Sequence, residues 1–107
     1  MREPSLGYVA ECFWVGVTER DLAAIDGRAA TCANAESGDG QRVRYLGSIL
    51  MRADEVVLCF FEGPATAVRR TAVCAAIPFE RIVETAASPW ASALRDGAPT
   101  KQPVTDQ

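Results

Sequence analysis

The order in which hydrophobic periodicity changes along the chain constrains the fold most strongly. Four segments alternate apolar and polar residues or are apolar throughout, which predicts strands, and two repeat apolar residues at helical spacing, which predicts helices. The predicted strands are 7–15, 42–52, 56–62 and 81–85, and the predicted helices are 19–36 and 65–76. Strand, helix, strand, strand, helix, strand is the split βαβ plan. We therefore predict a ferredoxin-like α+β fold, with two helices on one face of a four-stranded antiparallel sheet.

The chain has 107 residues, which is the size of one domain. We predict an N-terminal arm at 1–6, the folded domain at 7–86 and a C-terminal tail at 87–107. The tail is rich in small and polar residues, and this composition predicts partial disorder. Trp90 and Leu94 are suited to hold its first half against the domain.

Charge and hydropathy exclude several classes of partner. The net charge is −3, and the only basic clusters are Arg42 with Arg44 and Arg69 with Arg70. Nucleic-acid binding requires clustered cations, so we predict no nucleic-acid partner. No apolar run approaches the ~20 residues that span a bilayer, and the N-terminus lacks the apolar core of a secretory signal. These features predict a cytoplasmic protein without a membrane partner.

The four cysteines are widely spaced and form no C-x-x-C motif. In a reducing cytosol we expect Cys12, Cys32, Cys59 and Cys74 to be free thiols packed as small hydrophobic residues. Strands one and three are neighbours in this fold, so Cys12 and Cys59 are expected to approach each other. Two thiolates make an incomplete site for a soft metal, and Cys59 alone has a second interpretation as a reactive thiol.

Glu11 is the candidate catalytic residue, because it is a carboxylate inside an otherwise apolar strand. Burial raises the pKa of a carboxyl group, and a general acid or base needs such a shift. The structural interpretation is a salt bridge to Arg44 or Arg81, or an exposed position at the edge of the sheet. Both interpretations stay open at the level of the sequence.

Four further residues are candidates for ligand binding: Tyr45, Ser48, Phe61 and Glu62. Tyr45 and Ser48 supply hydroxyls, which strict alternation places on opposite faces of strand two, to orient a ligand or satisfy backbone groups. Gly47 lies between them and indicates a bulge or a close backbone approach. Glu62 ends strand three, where it is also suited to the positive end of the second helix.

The uncovered side of the sheet carries the functional prediction. Because the strands are apolar on both faces and the helices cover one, a monomer would expose a large hydrophobic patch, and such patches mark partner surfaces. We assign Val9, Glu11, Phe13, Leu46, Leu50 and Phe61 to that face. The leading hypothesis is a homodimeric binding or interaction module that pairs through this face.

Two alternatives belong to other classes. One is a cofactor-free enzyme of the oxygenase or isomerase type, in which Glu11 is the base and Tyr45 or Ser48 orients a small molecule in a pocket between sheet and helices. The other is a metal-handling protein that uses cysteines and carboxylates.

Several short motifs resemble a known family of small bacterial ferredoxin-like proteins. That family is a domain of unknown function that includes nickel-binding or nickel-responsive proteins. The similar segments are 8–11 (YVAE), 45–48 (YLGS), 58–64 (LCFFEGP), 76–78 (AIP) and 82–84 (IVE). Together they extend over most of 8–85, and the run from Cys59 to Pro64 is the most specific of them.

The resemblance implies a ferredoxin-like subunit that pairs with a second copy through its sheet, and it also implies a metal site. Nickel sites favour imidazole nitrogen, and this chain contains no histidine. Any metal would need Cys, Asp, Glu or backbone ligands, with Cys12 and Cys59 as the candidates. We therefore predict no cofactor.

Overall fold

The computed structural model describes residues 7–38 and 42–85. Its elements follow the predicted order. The strands are β1 (Gly7–Phe13), β2 (Arg44–Met51), β3 (Val56–Glu62) and β4 (Arg81–Thr85), and the helices are α1 (Glu19–Glu36) and α2 (Ala65–Cys74). The strands form an antiparallel sheet in the order β2-β3-β1-β4. This arrangement confirms the predicted ferredoxin-like fold.

Two predicted segments lie outside the described residues. They are the N-terminal arm at 1–6 and the tail at 87–107, including Trp90 and Leu94. Within the described residues, no helix is both long enough and apolar enough to cross a bilayer.

The first helix begins where its sequence predicts. Thr18 accepts a hydrogen bond from the backbone N–H of Asp21, and the Asp21 carboxylate accepts from the Thr18 backbone N–H. This reciprocal capping box satisfies two donors that the first turn of a helix leaves open. The helix buries one stripe of small and aliphatic residues, which are Ile25, Ala29, Cys32 and Ala33.

The second helix is shorter and packs through an equally small stripe. Its buried residues are Ala67, Val68, Thr71 and Ala72. The Thr71 hydroxyl donates to the carbonyl of Ala67 over 2.8 Å, which satisfies its only polar side-chain atom inside the core. Small side chains let both helices lie close to the sheet, because little volume separates the backbones.

The strand register divides the sheet into two faces of different character. The helix-covered face of the two central strands includes Ala10, Cys12, Val57, Cys59 and Phe61, each at most 1% exposed. The other face carries Phe13 on β1, together with Ile49 and Met51 on β2, all of them exposed. Of the residues assigned to the uncovered face, Val9, Glu11 and Phe13 are on that side.

Two residues of that assignment are wrong. Phe61 is 1% exposed in the core, and Leu50 packs against the same core. Phe61 alternates with the partly exposed Phe60, so only one of these two aromatic rings can face the helices. Leu50 is displaced because the pairing of β2 shifts by one residue upstream of it, which moves every later side chain to the other face.

The shift is a β-bulge between Tyr45 and Gly47. Tyr45 pairs with Phe61, whereas Gly47 pairs with Phe60, so Leu46 is the extra residue. Gly47 has φ +131°, a conformation that residues with a side chain rarely adopt. Of the two features that Gly47 indicates, a bulge or a close backbone approach, the structure therefore has the bulge. The prediction that Tyr45 and Ser48 lie on opposite faces is wrong, because one inserted residue returns both to the helix side.

A disulfide corrects the prediction of four free thiols. Cys32 of α1 and Cys74 of α2 are bonded, with their Cα atoms 6.0 Å apart. Helical spacing indicates that Cys32 is buried, but it carries no information on which residue of the other helix lies opposite. Cys12 and Cys59 are free and buried, as predicted.

Candidate functional site

A polar cluster of three side chains joins α1 to β2. Asp26 of α1 accepts two hydrogen bonds on one oxygen, Oδ1. The Tyr45 hydroxyl donates over 2.5 Å and the Ser48 hydroxyl over 2.8 Å. Asp26 lies directly after the buried Ile25, so the helix holds its carboxylate at the border of the apolar stripe. The cluster brings together two predicted ligand-binding residues and one residue that was missed.

Sequence reasoning missed Asp26 for an identifiable reason. A carboxylate next to a buried helical position can be recognised in the sequence. It indicates a polar cluster only if hydrogen-bond donors lie on the facing strand. In a strand without a bulge, the Tyr45 and Ser48 hydroxyls lie on opposite faces of the sheet. At most one of them can then donate a hydrogen bond to Asp26. Only the bulge at Gly47 puts both donors in reach.

The cluster holds Tyr45 in its protonated form. Burial raises the pKa of the Tyr45 phenol, and its hydrogen bond to Asp26 raises it further, because ionisation would remove the donated proton. The phenol therefore acts as a hydrogen-bond donor at neutral pH rather than as a base. Ser48 donates to the same oxygen, so both hydroxyls stabilise a partly buried carboxylate.

Phe61 packs against the Tyr45 ring of this cluster. Its ring lies 5.2 Å from the Tyr45 ring, centroid to centroid, in an edge-to-face arrangement. Such aromatic pairs contribute about 0.5–1.5 kcal/mol beyond area burial. Because Phe61 is 1% exposed, it positions the Tyr45 ring and presents no surface to a ligand.

The two free thiols lie next to the cluster. Cys12 and Cys59 are both fully buried on adjacent strands. The hydrogen bond between the two thiols raises the pKa of Cys59, and burial of the thiol raises it further. The same bond lowers the pKa of Cys12, because Cys59 is the donor. Cys59 is therefore a protonated core thiol at neutral pH, and only a thiolate is a nucleophile or a metal ligand.

The prediction that these two cysteines approach each other is confirmed. Within residues 7–38 and 42–85, however, no three side chains of the Cys, Asp or Glu type are placed to hold a metal ion together. Among the described residues, no third side chain of this type joins Cys12 and Cys59 in a metal-binding group.

An open groove runs between the second half of α1 and the start of β2. One section has a volume of about 270 Å³ and is lined by Asn34, Ser37, Arg42, Val43 and Arg44. A second section of about 190 Å³ shares three of these residues and is also lined by Tyr45. The lining carries two guanidinium groups and an amide, which are donors suited to a small anion. Sites that enclose a drug-sized molecule are larger, at roughly 300–1,000 Å³.

Glu11, the predicted catalytic residue, lies on the uncovered face. Its carboxylate accepts from Arg81 Nε on the neighbouring strand β4 over 2.7 Å. This is one of the two salt bridges that the structural interpretation offered. Tyr45 and Ser48 lie on the helix-covered face, so the sheet separates the proposed base from the two proposed orienting hydroxyls.

Glu62 also lies on the uncovered face. Its carboxylate approaches Arg44 Nη1 on β2 at 3.7 Å, and its side chain is only 13% exposed. Pro64 occupies the N-cap position of α2 and supplies no side-chain cap. This contact joins Glu62 to the edge strand β2 of the sheet.

Within residues 7–38 and 42–85, the fold and these sites define a ferredoxin-like α+β domain with an internal polar cluster and one sheet face that no helix covers. Comparison with protein-family models, with curated proteins and with solved structures finds no match for this chain. The resemblance to the nickel-related family stays a prediction.

Proposed function

We propose that this protein is a homodimeric interaction module that pairs with a second copy of itself through the uncovered face of its sheet. The observation that carries the proposal is the apolar surface on that face. Phe13 is 62% exposed, Ile49 46% and Met51 41%, although all three belong to regular strands. A contiguous patch of this kind marks a contact surface on a protein that folds on its own.

The strand register makes these residues contiguous. Phe13 pairs with Val56, and Val56 pairs with Met51, so the three form one row across the sheet. Ile49 and Leu58 form the next row. Covering this surface removes apolar area from water at about 25 cal/mol per Å², which favours association.

The charges on the same face favour a second copy over a partner of one charge sign. Two ion pairs lie there, Glu11 with Arg81 and Glu62 with Arg44. Their four formal charges cancel, whereas the whole chain carries −3. The face has no net charge, so two copies do not repel each other when these faces meet. In a symmetric contact, each copy presents the same two cations and two anions to the other.

The proposal keeps the cytoplasmic location and the absence of a cofactor that the sequence predicts. It does not use Glu11 as a base. The alternative of a cofactor-free enzyme combines Glu11 with Tyr45 or Ser48, and those groups are on opposite faces of the sheet.

The test is the oligomeric state measured by sedimentation equilibrium over a range of protein concentrations. Phe13 and Val73 form a matched pair, because both are 62% exposed and lie on opposite layers of the molecule. We expect Phe13→Arg to dissociate the dimer and Val73→Arg to leave it intact.

Two results would overturn the proposal. One is a single species of 11.5 kDa for the unmodified protein at every concentration. The other is a dimer that Val73→Arg disrupts and Phe13→Arg does not, because that dimer would use the helix layer. Near-UV circular dichroism of each variant establishes that the fold is retained.

A further inference from the structure

We infer that the Cys32–Cys74 disulfide is a site of thiol exchange, at which a small-molecule thiol attaches to Cys74 and releases Cys32. The inference is independent of the dimer proposal, because the disulfide joins the two helices and the dimer surface lies across the sheet. It rests on the unequal exposure of the two sulfur-bearing residues and on the contacts that flank them.

The two cysteines differ sharply in accessibility. Cys32 is 7% exposed and belongs to the buried stripe of α1. Cys74 is exposed at the last position of α2. Exchange begins when a thiolate attacks one sulfur in line with the sulfur–sulfur bond, so access decides which sulfur is attacked. Cys74 is therefore the site of attack and Cys32 is the leaving group.

Noncovalent contacts on either side of the disulfide hold the helices together when it opens. Arg28 Nε donates to the Ala75 carbonyl over 2.7 Å, and Arg70 Nε donates to Glu36 over 3.0 Å. The three residues of α1 that make these contacts and the disulfide are 28, 32 and 36, which lie one helical turn apart on one side of the helix. Because both flanking contacts and the buried small residues remain, the opened form keeps its fold.

The flanking arginines also suit the chemistry. Arg28 lies one helical turn before Cys32, and its Nε donates to the carbonyl of Ala75, the residue that follows Cys74, so its guanidinium lies in the same part of the helix interface as the disulfide. Nearby positive charge favours the thiolate form of a cysteine, which makes Cys32 a better leaving group.

The step balances without a further reactant. A thiolate R–S⁻ bonds to the Cys74 sulfur, the Cys32–Cys74 bond breaks, and Cys32 leaves with the electron pair as a thiolate that takes a proton from water. The products are a mixed disulfide at Cys74 and a free thiol at Cys32. Attack of Cys32 on the mixed disulfide reverses the step and restores the original bond.

The experiment uses reduced glutathione as the probe on the oxidised full-length protein. After acid quenching, free thiols are alkylated with N-ethylmaleimide and the adducts are located by peptide mass spectrometry. We expect glutathione on Cys74 and the alkyl group on Cys32 in the same molecule. Cys12 and Cys59 are fully buried, so we expect them to carry no glutathione.

Two single variants provide a matched comparison with oxidised glutathione. Cys32→Ser leaves the exposed Cys74, and Cys74→Ser leaves the buried Cys32. We expect the first variant to be glutathionylated roughly tenfold faster or more, because access governs the rate. Glutathione mapped to Cys32, equal rates for the two variants, or no adduct at any glutathione concentration would each overturn the inference.

Discussion

Tyr45 on the edge strand β2 donates its phenolic proton to Asp26 on α1 over 2.5 Å. Ser48 uses the same carboxylate oxygen, so one acceptor joins two positions of the strand to the helix. Hydrogen bonds to a charged group are stronger than bonds between neutral groups, especially where water is scarce. This contact fixes how α1 lies over the edge of the sheet and links the two layers through polar groups.

Replacing Asp26 by alanine tests the strength of this link. The partly buried Tyr45 hydroxyl would lose its charged acceptor, and such a loss costs about 2–3 kcal/mol. We expect urea denaturation to show a free energy of unfolding lower by that amount. Asp54→Ala, in the exposed connection between β2 and β3, is the control and is expected to change stability by at most about 0.5 kcal/mol. Equal effects of the two substitutions would contradict a structural role for Asp26.

The raised pKa of Tyr45 predicts a dependence of stability on alkaline pH. The folded state holds the phenolic proton more tightly than the unfolded state, in which tyrosine titrates near its ordinary value of about 10. This contribution is complete below about pH 10 and falls by about 1.4 kcal/mol per pH unit above it, because only the unfolded chain ionises there.

Tyr45→Phe removes this titrating group and serves as the comparison. We expect the free energies of unfolding of the two proteins to run parallel with pH in neutral solution. Above about pH 10 the unmodified protein should lose stability more steeply than the variant. Curves that stay parallel throughout would show that Tyr45 titrates normally in the folded state.

The Cys32–Cys74 disulfide should contribute substantially to stability. It closes a loop between residues 42 positions apart, and the chain-entropy model gives about 4 kcal/mol for a loop of that length. We expect a phosphine reductant to lower the free energy of unfolding by about 3–4 kcal/mol. The Cys32→Ser, Cys74→Ser double variant should match the reduced protein and be insensitive to the reductant. If the reductant left the free energy of unfolding of the unmodified protein unchanged, this role would be contradicted.

Two glycines with different backbones predict opposite effects of the same substitution. Gly47 has φ +131° at the bulge, so Gly47→Ala forces a strained conformation and should lower stability by about 1–3 kcal/mol. Gly27 lies inside α1 with open space where a Cβ would sit, so Gly27→Ala should raise stability by up to about 1 kcal/mol. Thermal or urea unfolding measures both changes. A stabilising Gly47→Ala would show that the bulge is not required.

Much of the fold follows from local patterns. Three elements begin and end where periodicity places them, namely α1, β3 and β4. The other boundaries differ at their ends: β1 stops at Phe13, β2 begins at Arg44, and α2 stops at Cys74. Ends are less certain because the last residues of an element make few of its hydrogen bonds.

The candidate site was only partly predictable, because it depends on a change of register. The sequence identifies Tyr45 and Ser48 as sources of hydroxyl groups, and it indicates a bulge or a close backbone approach at Gly47. The consequence of the bulge for Ser48 and Leu50 was missed, since a single extra residue reverses the face of every side chain beyond it. Without that reversal Ser48 could not donate to Asp26, so the role of Asp26 could not be predicted from the sequence.

The sequence by itself determined the element order and the shared burial of Cys12 and Cys59, because those features depend on neighbours along the chain. Only the tertiary structure decided that Cys32 meets Cys74, that Arg81 rather than Arg44 pairs with Glu11, and that Tyr45 and Ser48 share Asp26. Each of those contacts joins residues at least 19 positions apart. Contacts of that length are set by how helices and strands pack together, and local periodicity carries no information about that packing.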